Sequence, residues 1–228
     1  MGDALALAAS PVGAYSCPQV CRCGGAAEWQ FGDGAPLHVL GIGDSIIAGV
    51  GVREHDLGLV GHTARLLAET SGRRVHWHAF GKIGADTHDL LAGLEAVRTV
   101  PADVVLVSVG VNDLTSLRLT HQWRASLTRL MDELASIWPD AYVVLSGLPP
   151  MQSFPLLPQP LRGLSGVRAR RFDAIAANLV SSRSRAIHVP LPFELEPDLF
   201  AEDGFHPSEI GYALLAGEVS RHLARLPL

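Results

Sequence analysis

The feature that most restricts this chain is a repeated alternation of short apolar runs with amphipathic ones. Leu37–Gly43, Val75–Phe80, Asp103–Val109, Ala141–Ser146 and Ala186–Val189 read as strands. Between them, apolar residues recur at helical spacing. Leu59–Thr70 stops at Gly72, and Leu90, Leu91, Leu94 and Val97 follow a cap at Asp86 or Thr87. Trp123 to Ile137 follows a cap at Thr120, Val167–Val180 forms the next stretch, and Pro207 opens a last one bearing Ile210, Leu214, Leu215, Val219 and Leu223. Strands separated by helices need crossovers, and crossovers make parallel neighbours. Asp103–Val109 is apolar on both faces after its first residue, as a strand covered on both sides must be. The expected fold is α/β, a three-layer α/β/α sandwich around a five-stranded parallel sheet.

Residues 1–35 show no sustained period and carry glycine, proline and serine throughout. They read as an irregular extension on one domain spanning residues 36–228. All three cysteines, Cys17, Cys21 and Cys23, fall in that extension. Three thiolates are one short of a tetrahedral zinc site, and a domain without cysteine cannot depend on disulfides. Hydrophobic residues make up 48% and charged ones 18%, a globular balance. Formal net charge is −5, which argues against a nucleic-acid partner. No apolar run approaches the ~20 residues that span a bilayer. Leu5–Ala9 is apolar, but Asp3 stands where a signal peptide needs positive charge, so a cytoplasmic protein is expected, with export the alternative. Nothing in the sequence specifies an oligomeric state.

In open parallel sheets, ligands sit beyond the carboxyl ends of the strands. Gly43-Asp44-Ser45 follows the first predicted strand and Gly81-Lys82-Ile83-Gly84 the second. Gly110-Val111-Asn112-Asp113 follows the third, and Asp203-Gly204-Phe205-His206-Pro207 the fifth. A hydroxyl, a glycine N–H, an amide and an acid–imidazole pair are thus delivered to one rim. A serine at a strand–helix turn exposes its hydroxyl beside helix N-terminal N–H groups, but it needs a base. His206 can take the Ser45 proton and return it to a leaving alkoxide. Asp203, three residues earlier, can bond the other ring nitrogen and fix the tautomer. Each also has a plain structural reading: an N-cap serine, a surface histidine before proline, turn residues at Asp203 and Gly84, a strand-end turn former at Asn112.

These residues resemble the SGNH (GDSL-type) hydrolase family, esterases named for their Ser, Gly, Asn and His blocks. Gly43-Asp44-Ser45 is similar to the first block, Gly84 to the second, Gly110-Val111-Asn112-Asp113 to the third and Asp203-x-x-His206 to the last. Ile46 departs from the leucine of the family's short name. The resemblance runs from about Leu37 to the C-terminus and says nothing of the first 35 residues. It implies a flavodoxin-like sandwich and a serine esterase with Ser45, Asp203 and His206 as triad. It also implies an oxyanion hole made of the Ser45 N–H, the Gly84 N–H and the Asn112 side-chain amide. The substrate would be a small-molecule ester, cleaved without metal or organic cofactor. Carbohydrate deacetylases, lysophospholipases and thioesterases belong to the same family, so the substrate stays open. Asp44 and Asp113 are expected to orient their blocks through backbone hydrogen bonds rather than to react.

Leu148–Gly166, with five prolines, is long for a loop in a compact domain. Its Met151, Phe154, Leu156, Leu157 and Leu161 are expected to form an apolar lip by the acyl site, the first four as substrate contacts, favouring short acyl chains; a loop that merely covers the sheet edge is the alternative. Other readings fit less well. Gly41-x-Gly43 suggests a dinucleotide site, but Ile46 stands where the third glycine belongs. The nucleophile elbow of α/β-hydrolases needs a glycine where Ile47 stands. His76 and His78 share a strand face without an obvious third metal ligand. A catalytically silent binding relative is opposed by competent residue types at every proposed position.

Overall fold

The computed structural model of this protein describes residues 29–154, 156–191 and 196–228. Cys17, Cys21, Cys23 and the Leu5–Ala9 stretch lie outside the described residues. The strands are β1 (Trp29–Phe31), β2 (Pro36–Gly43), β3 (Arg74–Gly81), β4 (Val104–Ser108), β5 (Tyr142–Ser146) and β6 (Ala186–Val189). The helices are α1 (Leu59–Ser71), α2 (Thr87–Gly93), α3 (Val111–Thr115), α4 (Thr120–Ile137), α5 (Leu161–Ser181) and α6 (Glu209–Leu223). They build one sheet in the order β1-β3-β2-β4-β5-β6, with every neighbouring pair parallel except β1–β3. The chain therefore reverses direction across the sheet at β2 and β4, where ligands bind in folds of this kind.

The pleat assigns the core. Leu40 and Ile42 of β2, with Val105, Val107, Val143 and Leu145, face the layer of α2, α4 and α5. Leu37 and Val39, with Val104, Leu106, Val144 and Val189, face α1 and α6. Trp123, Leu127, Leu130 and Leu134 form the buried stripe of α4, and the Trp123 indole N–H donates to the Phe172 carbonyl at 3.1 Å. Burying side chains of this size contributes roughly 1.5–3 kcal/mol each, so the α4 stripe is a principal support of this face. No helix among the described residues is long and apolar enough to cross a membrane.

Four details differ from expectation. The sheet has a sixth strand, β1, which lies inside the stretch read as irregular. It is three residues long, too short to show alternation, and it forms because Gln30 and Phe31 pair with His76 and Val75 on the sheet edge. Helix α5 starts at Leu161 rather than Val167, because Arg162 N–H and Leu164 N–H reach back to the Pro158 and Pro160 carbonyls. The glycines in this first part, read as loop, include Gly166, where an added Cβ would lie 2.5 Å from the Gln152 side chain; the helix needs that close approach to the 151–153 turn. Thr120 is the first residue of α4 rather than its cap, and the Leu119 N–H is capped by the Gln122 side chain at 3.0 Å. Pro207 precedes α6 without opening it; Ser208 caps that helix, its hydroxyl accepting from Gly211 N–H.

Candidate active site

The end of β2 is bound to both neighbours. Lys82 N–H donates to the Gly43 carbonyl at 2.9 Å, and Asp44 N–H donates to the Ser108 carbonyl at 3.1 Å. The Asp44 carboxylate then accepts from Ile46 N–H at 3.0 Å and from the Ser108 hydroxyl at 3.1 Å. Asp44 thus shapes the turn that carries Ser45, as expected of an orienting residue. Burial pushes its carboxyl up to about 6, only partly offset by those hydrogen bonds. Ser45 itself is 8% exposed and lines a cleft. The expected helix N-terminus at Ser45 is absent. Residues 45–51 form successive turns, because Gly49 and Gly51 take left-handed φ values of 71° and 103°, and α1 begins only at Leu59.

His206 reaches the same point from the segment ahead of α6. Its Nε2 lies 3.0 Å from Ser45 Oγ and its Nδ1 2.6 Å from Asp203 Oδ2. A proton on Nδ1 directed at the carboxylate leaves Nε2 free to accept from the serine hydroxyl. The other Asp203 oxygen accepts from Phe205 N–H and His206 N–H, each at 2.9 Å. Partial burial raises the Asp203 carboxyl, but the His206 ring and these two N–H groups outweigh it and hold the carboxyl below the usual carboxylate value. Asp203 is therefore an anionic, doubly anchored partner for the ring.

The remaining two blocks are tied to each other. Asn112 lines the cleft and donates its side-chain amide to the Ala85 carbonyl at 2.9 Å, which leaves its second amide N–H for another acceptor. Asp113 is buried and accepts from both the N–H and the hydroxyl of Thr87, at 3.0 and 2.8 Å. Burial raises its carboxyl despite these bonds. Arg118 pairs with Asp86 at 2.6 Å and approaches Asp113 at 3.3 Å. The loop carrying Gly84 is thereby held against the segment after β4. Gly84 is exposed, with φ of 77°, and a Cβ built there would meet nothing within 4 Å. The backbone conformation selects glycine at this position, rather than close packing.

The cleft has a volume of about 80 Å³. Ser45, His206 and Asn112 line it, with Val111, Leu148, Phe154, Phe200 and Phe205 among its apolar walls. The expected lip is only partly realised. Phe154 lines the cleft and packs edge-on against Phe200 and Phe205, while Phe205 packs edge-on against His206. Met151 is instead fully buried in the core, Leu157 packs against that core, and Leu156 is 60% exposed. Periodicity could not separate these residues, because in a turn-rich segment the direction of each side chain is set by tertiary packing. Phe200 and Phe205 also line the cleft, and for Phe205 the sequence signal is its adjacency to His206. Elsewhere, His76 stacks on His38, whose ring lies 3.3 Å from Asp103, so an acid stands nearer than the sequence suggested. Among the described residues no group of three or more His, Cys, Asp or Glu gathers as a metal site would require.

A mostly parallel α/β/α sandwich with a serine, an imidazole and a carboxylate in line at the carboxyl edge of its sheet has the architecture of an SGNH hydrolase. The chain belongs to the GDSL-like lipase/acylhydrolase family, whose model matches residues 42–214. It is 30% identical over 208 residues to a GDSL-like esterase of Mycobacterium tuberculosis (strain ATCC 25618 / H37Rv), covering 86% of this chain and 64% of that relative's length. Among solved structures, a lipase from a goat rumen metagenome superimposes with a TM-score of 0.67 at 22% identity, covering 81% of this chain and 96% of that one. An acetylxylan esterase from Geobacillus stearothermophilus superimposes with a TM-score of 0.61 at 20% identity, covering 85% and 96%.

Proposed function

We propose that this protein hydrolyses carboxylic esters of short acyl chains through an acyl-enzyme on Ser45, with His206 as general base and acid and Asp203 as its orienting carboxylate. The continuous line from Asp203 through His206 to Ser45, at 2.6 and 3.0 Å, carries this reading. In the first step Ser45 Oγ bonds to the ester carbonyl carbon while its proton passes to His206 Nε2. Charge gathers on the carbonyl oxygen, facing the Ser45 N–H, the Gly84 N–H and the second amide N–H of Asn112. The bond to the alcohol oxygen then breaks and His206 returns the proton to it. Water, deprotonated by the same imidazole, adds to the acyl carbon, and the carboxylic acid leaves as Ser45 regains its proton. The acyl preference rests on the cleft: about 80 Å³ beside apolar walls corresponds to roughly 5–8 water-sized volumes, at on the order of 10–15 Å³ each, which suits a short acyl chain.

The test joins a fluorophosphonate probe with a panel of esters of increasing acyl length that includes acetylated sugars. The expected result is labelling at Ser45, fastest turnover of the shortest chains, and loss of kcat by about 10⁴–10⁶ in Ser45→Ala. An unlabelled protein, or a Ser45→Ala variant with near-normal turnover, would end the proposal. Preference for acetylated sugars over simple short esters would move the substrate to carbohydrate O-acetyl groups within the same chemistry.

A further inference from the structure

Ser45 and His206 stand on separate segments, each shaped by its own local hydrogen bonds, and a proton passes between them only if the gap is kept. Three contacts cross between the turn after Ser45 and the segment around His206. Arg53 pairs with Glu209 at 2.9 Å, with the arginine side chain 83% exposed. Gly51, at φ of 103°, lies so close to Pro207 that a Cβ would stand 2.3 Å from the Pro207 carbonyl oxygen. The third starts from a fully buried side chain: the Tyr212 hydroxyl, in the first turn of α6, donates to the carbonyl of half-buried Val50 at 2.8 Å. Val50 is in turn bonded to the nucleophile, its N–H donating to the Ser45 carbonyl at 3.0 Å.

We propose that Tyr212 is a positioning residue for ester cleavage, its hydroxyl holding the serine turn at the distance from His206 that proton transfer needs. The inference rests on the reading of Ser45 and His206 above. A phenylalanine would fill the same buried space without placing a hydroxyl there, and a buried hydroxyl is costly unless bonded. Tyr212 meets that cost with a bond that reaches across 162 positions, from the helix that follows His206 to the turn that carries Ser45. Burial, with Asp44 and Asp203 nearby, raises its phenol far above the ordinary value, so it stays a neutral donor. Displacements of about 1 Å in such constellations lower rates by up to about 100-fold.

The experiment compares wild type, Tyr212→Phe, Gly51→Ala and Arg53→Ala for fluorophosphonate labelling rate, kcat, KM and thermal midpoint. In Tyr212→Phe, labelling rate and kcat fall together by about tenfold while KM holds. Gly51→Ala, which pushes the same turn off Pro207, follows the same pattern and is the second test if Tyr212→Phe does not fold. Arg53→Ala, an exposed tie, stays within about twofold of wild type. Labelling of Tyr212→Phe at the wild-type rate overturns the positioning role. So does an equal loss in Arg53→Ala, or a loss in kcat that vanishes on cooling in step with restored folding. Failure of the underlying reading looks different: wild type itself is unlabelled, which overturns both.

Discussion

The ring of His206 stands 3.0 Å from the Ser45 hydroxyl although 161 positions separate the two residues. Asp203, at 2.6 Å from the other ring nitrogen, is three positions away. One half of this line is made by a single turn. The other half exists because β2 and the segment leading into α6 end at the same edge of one sheet.

Asp203→Asn should lower kcat by about 10²–10⁴ with little change in KM, since an amide can hold the imidazole in the wrong tautomer. The native carboxyl lies below its usual value. Its contribution to stability is therefore complete above the unfolded value near 3.9 and is lost as pH falls through the lower folded value. The variant should lose that acid-side dependence. Steady-state kinetics and acid unfolding, wild type against variant, check the two claims separately.

Asp44 has the opposite sign. Its carboxyl rises from 3.8 to about 6 on folding, so the native state binds more protons than the unfolded chain between those values. Its contribution to stability falls as pH rises from about 4 to about 6, by on the order of 3 kcal/mol. Asn can still accept from Ile46 N–H and the Ser108 hydroxyl. Asp44→Asn should gain stability relative to wild type as pH climbs to about 6, then hold a constant offset. Denaturant unfolding across this range reads the difference, and parallel curves would contradict it.

Asp113→Ala should cost roughly 3–5 kcal/mol, because it strands the N–H and hydroxyl of buried Thr87. Asp113→Asn, which keeps an acceptor oxygen, should lose less than half as much. Urea midpoints measure both. Turnover by the folded alanine variant should also drop, since the loop bearing Gly84 loses one of its ties to the segment after β4.

Phe154→Ala should open the cleft while costing about 3–5 kcal/mol of stability. Phe154 closes one wall through edge-on contacts with Phe200 and Phe205. Its loss should raise kcat/KM for longer acyl chains relative to acetate. An unchanged chain-length profile would place the acyl group elsewhere.

Much of this was legible in residue order. The central strand β4 was visible because a strand covered on both faces is a nearly uninterrupted apolar run, and Val104–Ser108 is buried throughout. Asp86 could be named as a cap because the signal lies within one turn; its carboxylate accepts from His88 and Asp89 N–H. Strand β1 was not legible, since three residues carry no period and its partner is some 45 positions away. Met151 and Phe154 looked equivalent in the sequence, and both are buried, yet only Phe154 also lines the cleft.

Local periodicity and strand-end chemistry alone determined the layered parallel sheet, the edge at which a site would form, and the pairing of Asp203 with His206. Those are properties of short windows, where backbone geometry leaves little freedom. Only the tertiary structure decided that Ser45 meets His206, that Asp113 anchors Thr87, that Phe154 lines the cleft and that Tyr212 reaches Val50. Each of these is a distance between remote segments, set by how whole helices and strands pack, and no local stretch of sequence contains it.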